Sequence, residues 1–133
     1  MIDIENIVFN CIAAPLRKAV TGISVSGETA KKPSKFPYVE LIEKSNTVYL
    51  KSQDENVENH ANLMYEANAY SNLVIGKKAQ CRKIMSIVDT EFQKIGFTRI
   101  FMQLIPNIED YTICRITARY VAVAGKNNDI YRK

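Results

Sequence analysis

The fold of this chain is decided by residues 61–71, ANLMYEANAYS, in which apolar and polar side chains alternate. Successive side chains of a β-strand point to opposite faces, so this alternation predicts a strand of a sheet. One face receives the apolar set Leu63, Tyr65, Ala67 and Ala69. The other face receives Asn62, Glu66, Asn68 and Tyr70. We therefore predict a strand with one side buried against a core.

The segments around this strand predict two helices and further strands. Apolar residues recur at helical spacing from Cys81 to Ile95, which predicts an amphipathic helix that begins at residue 77 and ends at Gly96. The same spacing at residues 4–16 predicts a first helix, capped by Asp3, kinked or restarted at Pro15 and ended by Gly22. Further strands are predicted at residues 23–26, 38–43, 47–51, 97–105 and 111–123, with the second and third of these joined as a hairpin through residues 43–46.

The predicted order, α-β-β-β-β-α-β-β, excludes a doubly wound parallel sheet because helices do not alternate with strands. We predict one α+β domain over residues 1–133, with two helices packed on one face of a mainly antiparallel sheet. The opposite face carries Glu66, Asn68, Arg115 and Arg119, so we expect water or a partner subunit to cover it. Polar residues 52–59 predict a mobile, exposed loop.

The composition, 47% hydrophobic and 24% charged, is that of an ordinary soluble domain. No apolar run approaches the roughly 18 residues of a membrane span, and the amino terminus is acidic where a signal peptide is basic. We therefore expect a protein made in the cytoplasm, without membrane contact. The net charge of +4 permits contact with nucleic acid without requiring it.

The residues that commonly hold metals or act as nucleophiles are few. Three cysteines, Cys11, Cys81 and Cys114, are far apart in the chain and predict small buried apolar side chains. The one histidine, His60, lies in a polar segment that predicts a solvated loop. Residues 76–78, Gly-Lys-Lys, are compatible with an anion site at a helix start. The pattern favours a solvated helix start without a bound anion. We predict neither a metal nor a cofactor.

Two alternatives depend on where charged side chains converge. A small metal-dependent nuclease would need Glu40, Glu43 and Glu66 at one point, yet Glu40 and Glu43 are three residues apart and point to opposite faces of a strand. A nucleic-acid-binding module would use Arg115 and Arg119. These arginines can instead pair across strands with Glu66, or form salt bridges between subunits.

A set of short segments in this chain resembles a known family. In the second half they are YEANAYSN (65–72), GKKAQC (76–81), GFTR (96–99), PNIED (106–110), YTICR (111–115), ARY (118–120) and IYR (130–132). The first half continues the likeness in KPSKFP (32–37) and ENH (58–60). Over nearly its whole length, the chain resembles tail terminator (tail completion) proteins of phages, prophages and phage-tail-like bacteriocins of low-GC Gram-positive bacteria.

The resemblance implies an α+β subunit of a homo-hexameric ring that caps the head-proximal end of a tail tube in a virion assembled in the host cytoplasm. Such a ring stops tube polymerisation, provides the attachment surface for the neck, and passes genomic DNA through its lumen without sequence recognition. The implied partners are further copies of the chain, the tail tube protein, the sheath of a contractile tail, and neck or connector proteins. The family has no catalytic residues, so the resemblance implies a structural protein. Another head–tail connector or neck adaptor of the head-completion type is the alternative within this class.

Contact residues are inferred from charge and position, because the resemblance transfers no site. Flexible polar loops become ordered on assembly, so we expect the loop lysines and acids to reach neighbouring rings. The strand arginines are expected at subunit contacts or against the lumen. The candidates are Lys31, Lys32, Lys35, Asp54, Glu55, Glu58, Arg115 and Arg119.

Overall fold

The computed structural model describes residues 2–28, 35–48, 60–106, 112–125 and 130–132. Two helices and six strands follow one another in these ranges in the order α-β-β-β-α-β-β-β. They are α1 (Glu5–Ala19), β1 (Ser24–Ser26), β2 (Tyr38–Val48), β3 (His60–Ser71), α2 (Lys77–Lys94), β4 (Thr98–Ile105), β5 (Cys114–Gly125) and β6 (Ile130–Arg132). The predicted α+β class is confirmed.

The six strands form one sheet, in which every neighbouring pair is antiparallel except β1 and β2. The path is β1-β2-β3-β5-β4, and β6 pairs with β5 beyond the part that β4 covers. The strand predicted at residues 61–71 is β3, and it lies in the middle of the path with β5. Along most of both strands, successive side chains therefore point alternately to the core side and to the opposite side of the sheet.

The core lies between the sheet and the two helices, which pack against each other on the same face. Phe92 of α2 stacks on Tyr120 of β5 with ring centroids 4.3 Å apart, and Phe97 meets Phe92 edge-on at 5.2 Å. Burial of one such side chain contributes about 2–3 kcal/mol. The prediction that both helices lie on one face is confirmed.

The predicted hairpin between residues 38 and 51 is wrong, because β2 is a single strand. Glu43 pairs with Tyr65 and Ser45 with Met64, so Lys44 is the extra residue of a β-bulge. The polar run at residues 43–46 resembles a turn in the sequence, but the bulge absorbs one residue and the strand continues. Residues 49–51 of the predicted second arm lie outside the described residues.

The predicted order also ends one strand too early, because residues 130–132 form β6 against Ala122–Ala124 of β5. Gly96 ends α2 in a left-handed conformation with φ of +100°, as predicted. A Cβ at this glycine would lie only 3.1 Å from Cγ2 of Ile130. The close approach of β6 to this turn therefore adds a steric reason for glycine.

The first helix differs from the prediction in its cap and in its apolar stripe. The carboxylate of Asp3 accepts a hydrogen bond from the backbone N–H of Glu5 at 3.2 Å, but the N-cap position is Ile4, so the prediction that Asp3 is the cap is wrong by one residue. The helix runs through Pro15 without a restart. Its buried residues are Val8, Ile12, Ala13 and Leu16. Cys11 falls outside this narrow stripe and is exposed, which corrects the prediction that it is buried.

Candidate functional site

The sheet face opposite α1 and α2, which we call the polar face, carries a hydrogen-bonded network across β2, β3 and β5. Alternation along these strands directs every second side chain away from the core. The members of the network are Glu40, Glu66, Asn68, Tyr70, Arg115, Thr117 and Arg119. The prediction that Glu66, Asn68, Arg115 and Arg119 share this face is confirmed.

Asn68 is the centre of the network and is only 1% exposed. Its Oδ1 accepts hydrogen bonds from Thr117 Oγ1 at 2.6 Å and from Arg115 Nη2 at 3.1 Å. Its Nδ2 donates to Glu66 Oε2 at 3.2 Å. Both the oxygen and the nitrogen of the Asn68 amide have partners, and these hydrogen bonds fix the orientation of the amide. Asn68 thereby links β3 to two side chains of β5.

Glu66 and Arg119 lie directly opposite each other in the β3–β5 register and form an ion pair of 3.1 Å. The predicted cross-strand pairing is therefore confirmed. Burial raises the pKa of Glu66, but hydrogen bonds from Asn68 and Arg119 and the charges of Lys44 and Arg119 outweigh it, so the pKa is lower than usual. This carboxylate is ionised at neutral pH.

Tyr70 and Arg115 extend the network toward the start of β2. The Tyr70 hydroxyl donates to Glu40 Oε1 at 2.9 Å, and burial together with Glu40 raises the pKa of Tyr70. The Arg115 guanidinium lies 5.6 Å from the Tyr70 ring centroid. Arg119 lies in the same way over the ring of Phe101 at 5.6 Å. Both arginines are therefore held by contacts within the chain.

The other predicted contact residues fall outside this network. Lys35 is exposed before β2. The remaining loop candidates lie outside the described residues; they are Lys31, Lys32, Asp54, Glu55 and Glu58. The predicted mobile loop at residues 52–59 lies there too.

The three carboxylates of the nuclease alternative do not converge. Glu40 and Glu66 lie on the polar face, whereas Glu43 accepts a hydrogen bond from Tyr65 at 3.1 Å on the core side. Burial raises the pKa of Glu43, and the charges of Glu5 and Asp3 add to this effect. Within the described residues, no group of three His, Cys, Asp or Glu side chains is arranged to hold a metal ion. The geometric condition of this alternative is not met.

The buried cysteines and the histidine pack or pair within the fold. Cys81 and Cys114 are buried free thiols, as predicted, and Cys81 Sγ donates to the Cys114 carbonyl oxygen at 3.3 Å. Burial raises the pKa of the Cys81 thiol. His60 is not a loop residue; it is half-buried as the first residue of β3, where it pairs with Gly125.

The folded chain leaves exposed an apolar surface that was not predicted from the sequence. We call it the apolar rim; it comprises Leu73, Val74 and Ile75 of the turn between β3 and α2 and Ile100, Met102 and Leu104 of β4, where Leu104 borders the start of α2. Val74 and Ile75 are 95% and 90% exposed in the turn between β3 and α2, residues 72–76, which we call the apolar turn. Its signal in the sequence is three consecutive apolar residues where a connecting turn is ordinarily polar.

Cationic side chains lie next to the apolar rim. A groove of about 530 Å³ between α2 and β4 is lined by Lys78, Arg82 and Arg99 and by the rim residues Met102 and Leu104. The Arg99 guanidinium pairs with Asp89 at 3.3 Å. The predicted helix start at residues 76–78 is the beginning of α2, where Lys78 joins this groove.

Comparison of the sequence with protein families and curated proteins adds no relative. No protein-family model matches the chain, and no curated protein matches it. Within the described ranges, neither helix is long and apolar enough to cross a membrane.

Proposed function

We propose that this chain is a structural subunit of a phage tail, a terminator that forms a ring on the head-proximal end of the tail tube. The observation that carries the proposal is the apolar rim. Grouped exposed apolar side chains mark surfaces that bind another protein, whereas single ones need no explanation. In a ring, a neighbouring subunit or the tube end covers these residues.

The resemblance to tail terminators supports the same proposal. Its longest segment, YEANAYSN at residues 65–72, forms the second half of β3 and the residue after it, and the ARY segment at residues 118–120 lies beside it in β5. These segments include Glu66, Arg119 and Asn68, which build the polar network. The likeness therefore rests on residues that determine strand register and sheet geometry. The α+β architecture, with both helices on one face, is the one the family implies.

The charges of the polar face are largely matched within the chain. The network contains the carboxylates of Glu40 and Glu66 and the guanidinium groups of Arg115 and Arg119, and Lys44 adds one cation near Glu66. A ring repeats each charge in every subunit, so an excess of cations would retain the phosphate backbone. Because only a small cationic excess remains after this internal pairing, any such retention of DNA is expected to be weak.

The test is to mix the purified chain with tail tubes isolated from the phage or prophage that encodes it. Mass photometry measures its oligomeric state, and negative-stain imaging examines the tube ends. The proposal predicts a ring at one end of each tube. Decoration along the sides, or no binding, would contradict it. Binding to portal complexes in place of tubes would favour the neck-adaptor alternative.

A matched pair of variants connects the test to the rim. Ile75→Asp places a charge in the apolar turn, whereas Ile7→Asp makes the same change at an exposed isoleucine of α1. Ile75→Asp is expected to abolish capping, and Ile7→Asp to retain it. Circular dichroism establishes that both variants are folded.

A further inference from the structure

The apolar turn is a projecting surface with cations behind it. Val74 and Ile75 are almost fully exposed at the end of β3. Lys78 and Arg82 follow in α2, one helical turn apart, and both are exposed. This part of the molecule therefore presents two apolar side chains followed by two positive charges.

A second surface has the opposite character. Between α1 and β1 lies a depression of about 420 Å³, which contains the half-buried apolar residues Phe9 and Val25. Glu5 and Glu28 also line it. Further carboxylates lie on this side of the chain. The charges of Glu5 and Asp3 are close enough to Glu43 to raise the pKa of Glu43, in addition to the larger effect of burial. The depression thus offers an apolar interior with acids around it.

We propose that the apolar turn of one copy of this chain inserts into the α1–β1 depression of a second copy. Val74 and Ile75 then meet Phe9 and Val25, while the cations of α2 meet Glu5 and Glu28. The inference rests on the proposed ring and names the subunit contact that builds it.

The two surfaces share no residue, so the contact is head-to-tail. Such a heterologous contact uses a different surface on each partner and generates a closed ring when the rotation permits, whereas a contact between identical surfaces stops at a dimer. Turn against turn would also bring Lys78 and Arg82 together with their own copies. Like charges across an interface oppose this arrangement. Charge therefore favours the polymerising contact over the symmetric dimer.

The test reverses the charges of each surface separately. One variant carries Lys78→Glu and Arg82→Glu, and the other carries Glu5→Lys and Glu28→Lys. Each exposed ion pair contributes up to about 1 kcal/mol, and reversal replaces attraction by repulsion, so each pair should weaken self-association about tenfold. Sedimentation velocity at low salt and up to millimolar protein measures the association. The control variant, Lys83→Glu with Lys94→Glu, makes the same change elsewhere on exposed α2 positions.

Wild type and the control are expected to self-associate with similar constants, and each reversed variant to self-associate at least tenfold more weakly. An equimolar mixture of the two reversed variants should assemble again, because each reversed turn then meets a reversed depression. Reversed variants that associate like wild type, a mixture that stays monomeric, or a wild-type chain that is monomeric at millimolar concentration would each overturn the inference.

The tail-tube experiment separates this inference from the proposed function. A wild-type chain that assembles and shows rescue by mixing, but does not cap tubes, would refute the tail function and retain the subunit contact. If the wild-type chain caps tubes and a charge-reversed variant caps them equally well, the subunit contact alone is refuted.

Discussion

Replacing Asn68 with alanine tests the polar network at its centre. The substitution removes the hydrogen bonds to Thr117, Arg115 and Glu66 and deprives the Thr117 hydroxyl of its acceptor. Asn68 is only 1% exposed, so water cannot easily replace these partners. We therefore expect Asn68→Ala to be markedly less stable than the wild-type chain.

The expected loss of stability follows from the three hydrogen bonds of the Asn68 side chain. Each intramolecular hydrogen bond contributes about 1 kcal/mol net, so the three together contribute about 3 kcal/mol. For a chain of 133 residues, this difference corresponds to a fall in Tm of roughly 10 °C. The control is Asn72→Ala, which makes the same change at an exposed position immediately after β3. It is expected to change stability by less than about 0.5 kcal/mol.

Urea unfolding followed by circular dichroism measures the free energy of unfolding of both variants. A midpoint shift without a change in slope attributes the effect to stability of the folded state. If Asn68→Ala and Asn72→Ala unfold at the same urea concentration, the network does not stabilise the sheet, and the reasoning from its hydrogen bonds is refuted.

Three other perturbations test the turn, the ion pair and the thiols. Gly96→Ala should lose about 1–2 kcal/mol in urea unfolding, because its φ is +100° and the added Cβ meets Ile130. Glu66→Gln removes a carboxylate whose pKa is lower in the folded chain than in the unfolded chain. The ionised carboxylate therefore contributes its full stabilisation above its unfolded pKa, and this contribution disappears as the pH falls through its folded pKa. The stability difference between wild type and Glu66→Gln should therefore narrow as pH falls below 4.5. In the native protein, a thiol reagent followed by mass spectrometry should label Cys11 and leave Cys81 unlabelled until unfolding.

Each of these expectations has a contrary result. A Gly96→Ala variant as stable as wild type would mean that the turn relaxes without strain. A stability difference for Glu66→Gln that stays constant from neutral pH to about pH 3 would contradict the lowered pKa. Labelling of Cys81 at the rate of Cys11 in the native state would contradict its burial.

The parts of the fold that were predictable are long segments whose side-chain period reports burial directly. In β3, α2 and β5 the apolar side chains that the sequence assigns to one face are the ones that pack together, as at Tyr65, Phe92 and Tyr120. Each segment has enough residues to display several periods, so one exceptional position does not hide the pattern.

The errors arise where pairing, and not local pattern, determines structure. Lys44 interrupts the alternation of β2, and only the opposite residues of β3 identify it as a bulge within one strand. Likewise, Ile130–Arg132 is too short to display alternation and becomes a strand through its partners in β5. Such information is distributed over distant parts of the chain.

The candidate site was predictable to a similar extent. Alternation alone assigned Glu66 and Arg119 to the same face, but the role of Asn68 as a link between β3 and β5 depends on the register of the two strands. The exposure of Val74 and Ile75 was not predicted. Apolar residues near a helix start ordinarily join the core, so only the folded chain distinguishes an interaction surface from buried positions.

Tube growth in the presence of the chain tests the terminator function most directly. Tail tube subunits are polymerised from preformed tubes, and tube length is measured by negative-stain imaging with and without the purified protein. The proposed function predicts that growth stops when the head-proximal end of each tube has bound one ring, while the Ile75→Asp variant leaves growth unchanged. Tubes that elongate at the same rate with saturating wild-type protein would contradict the terminator function.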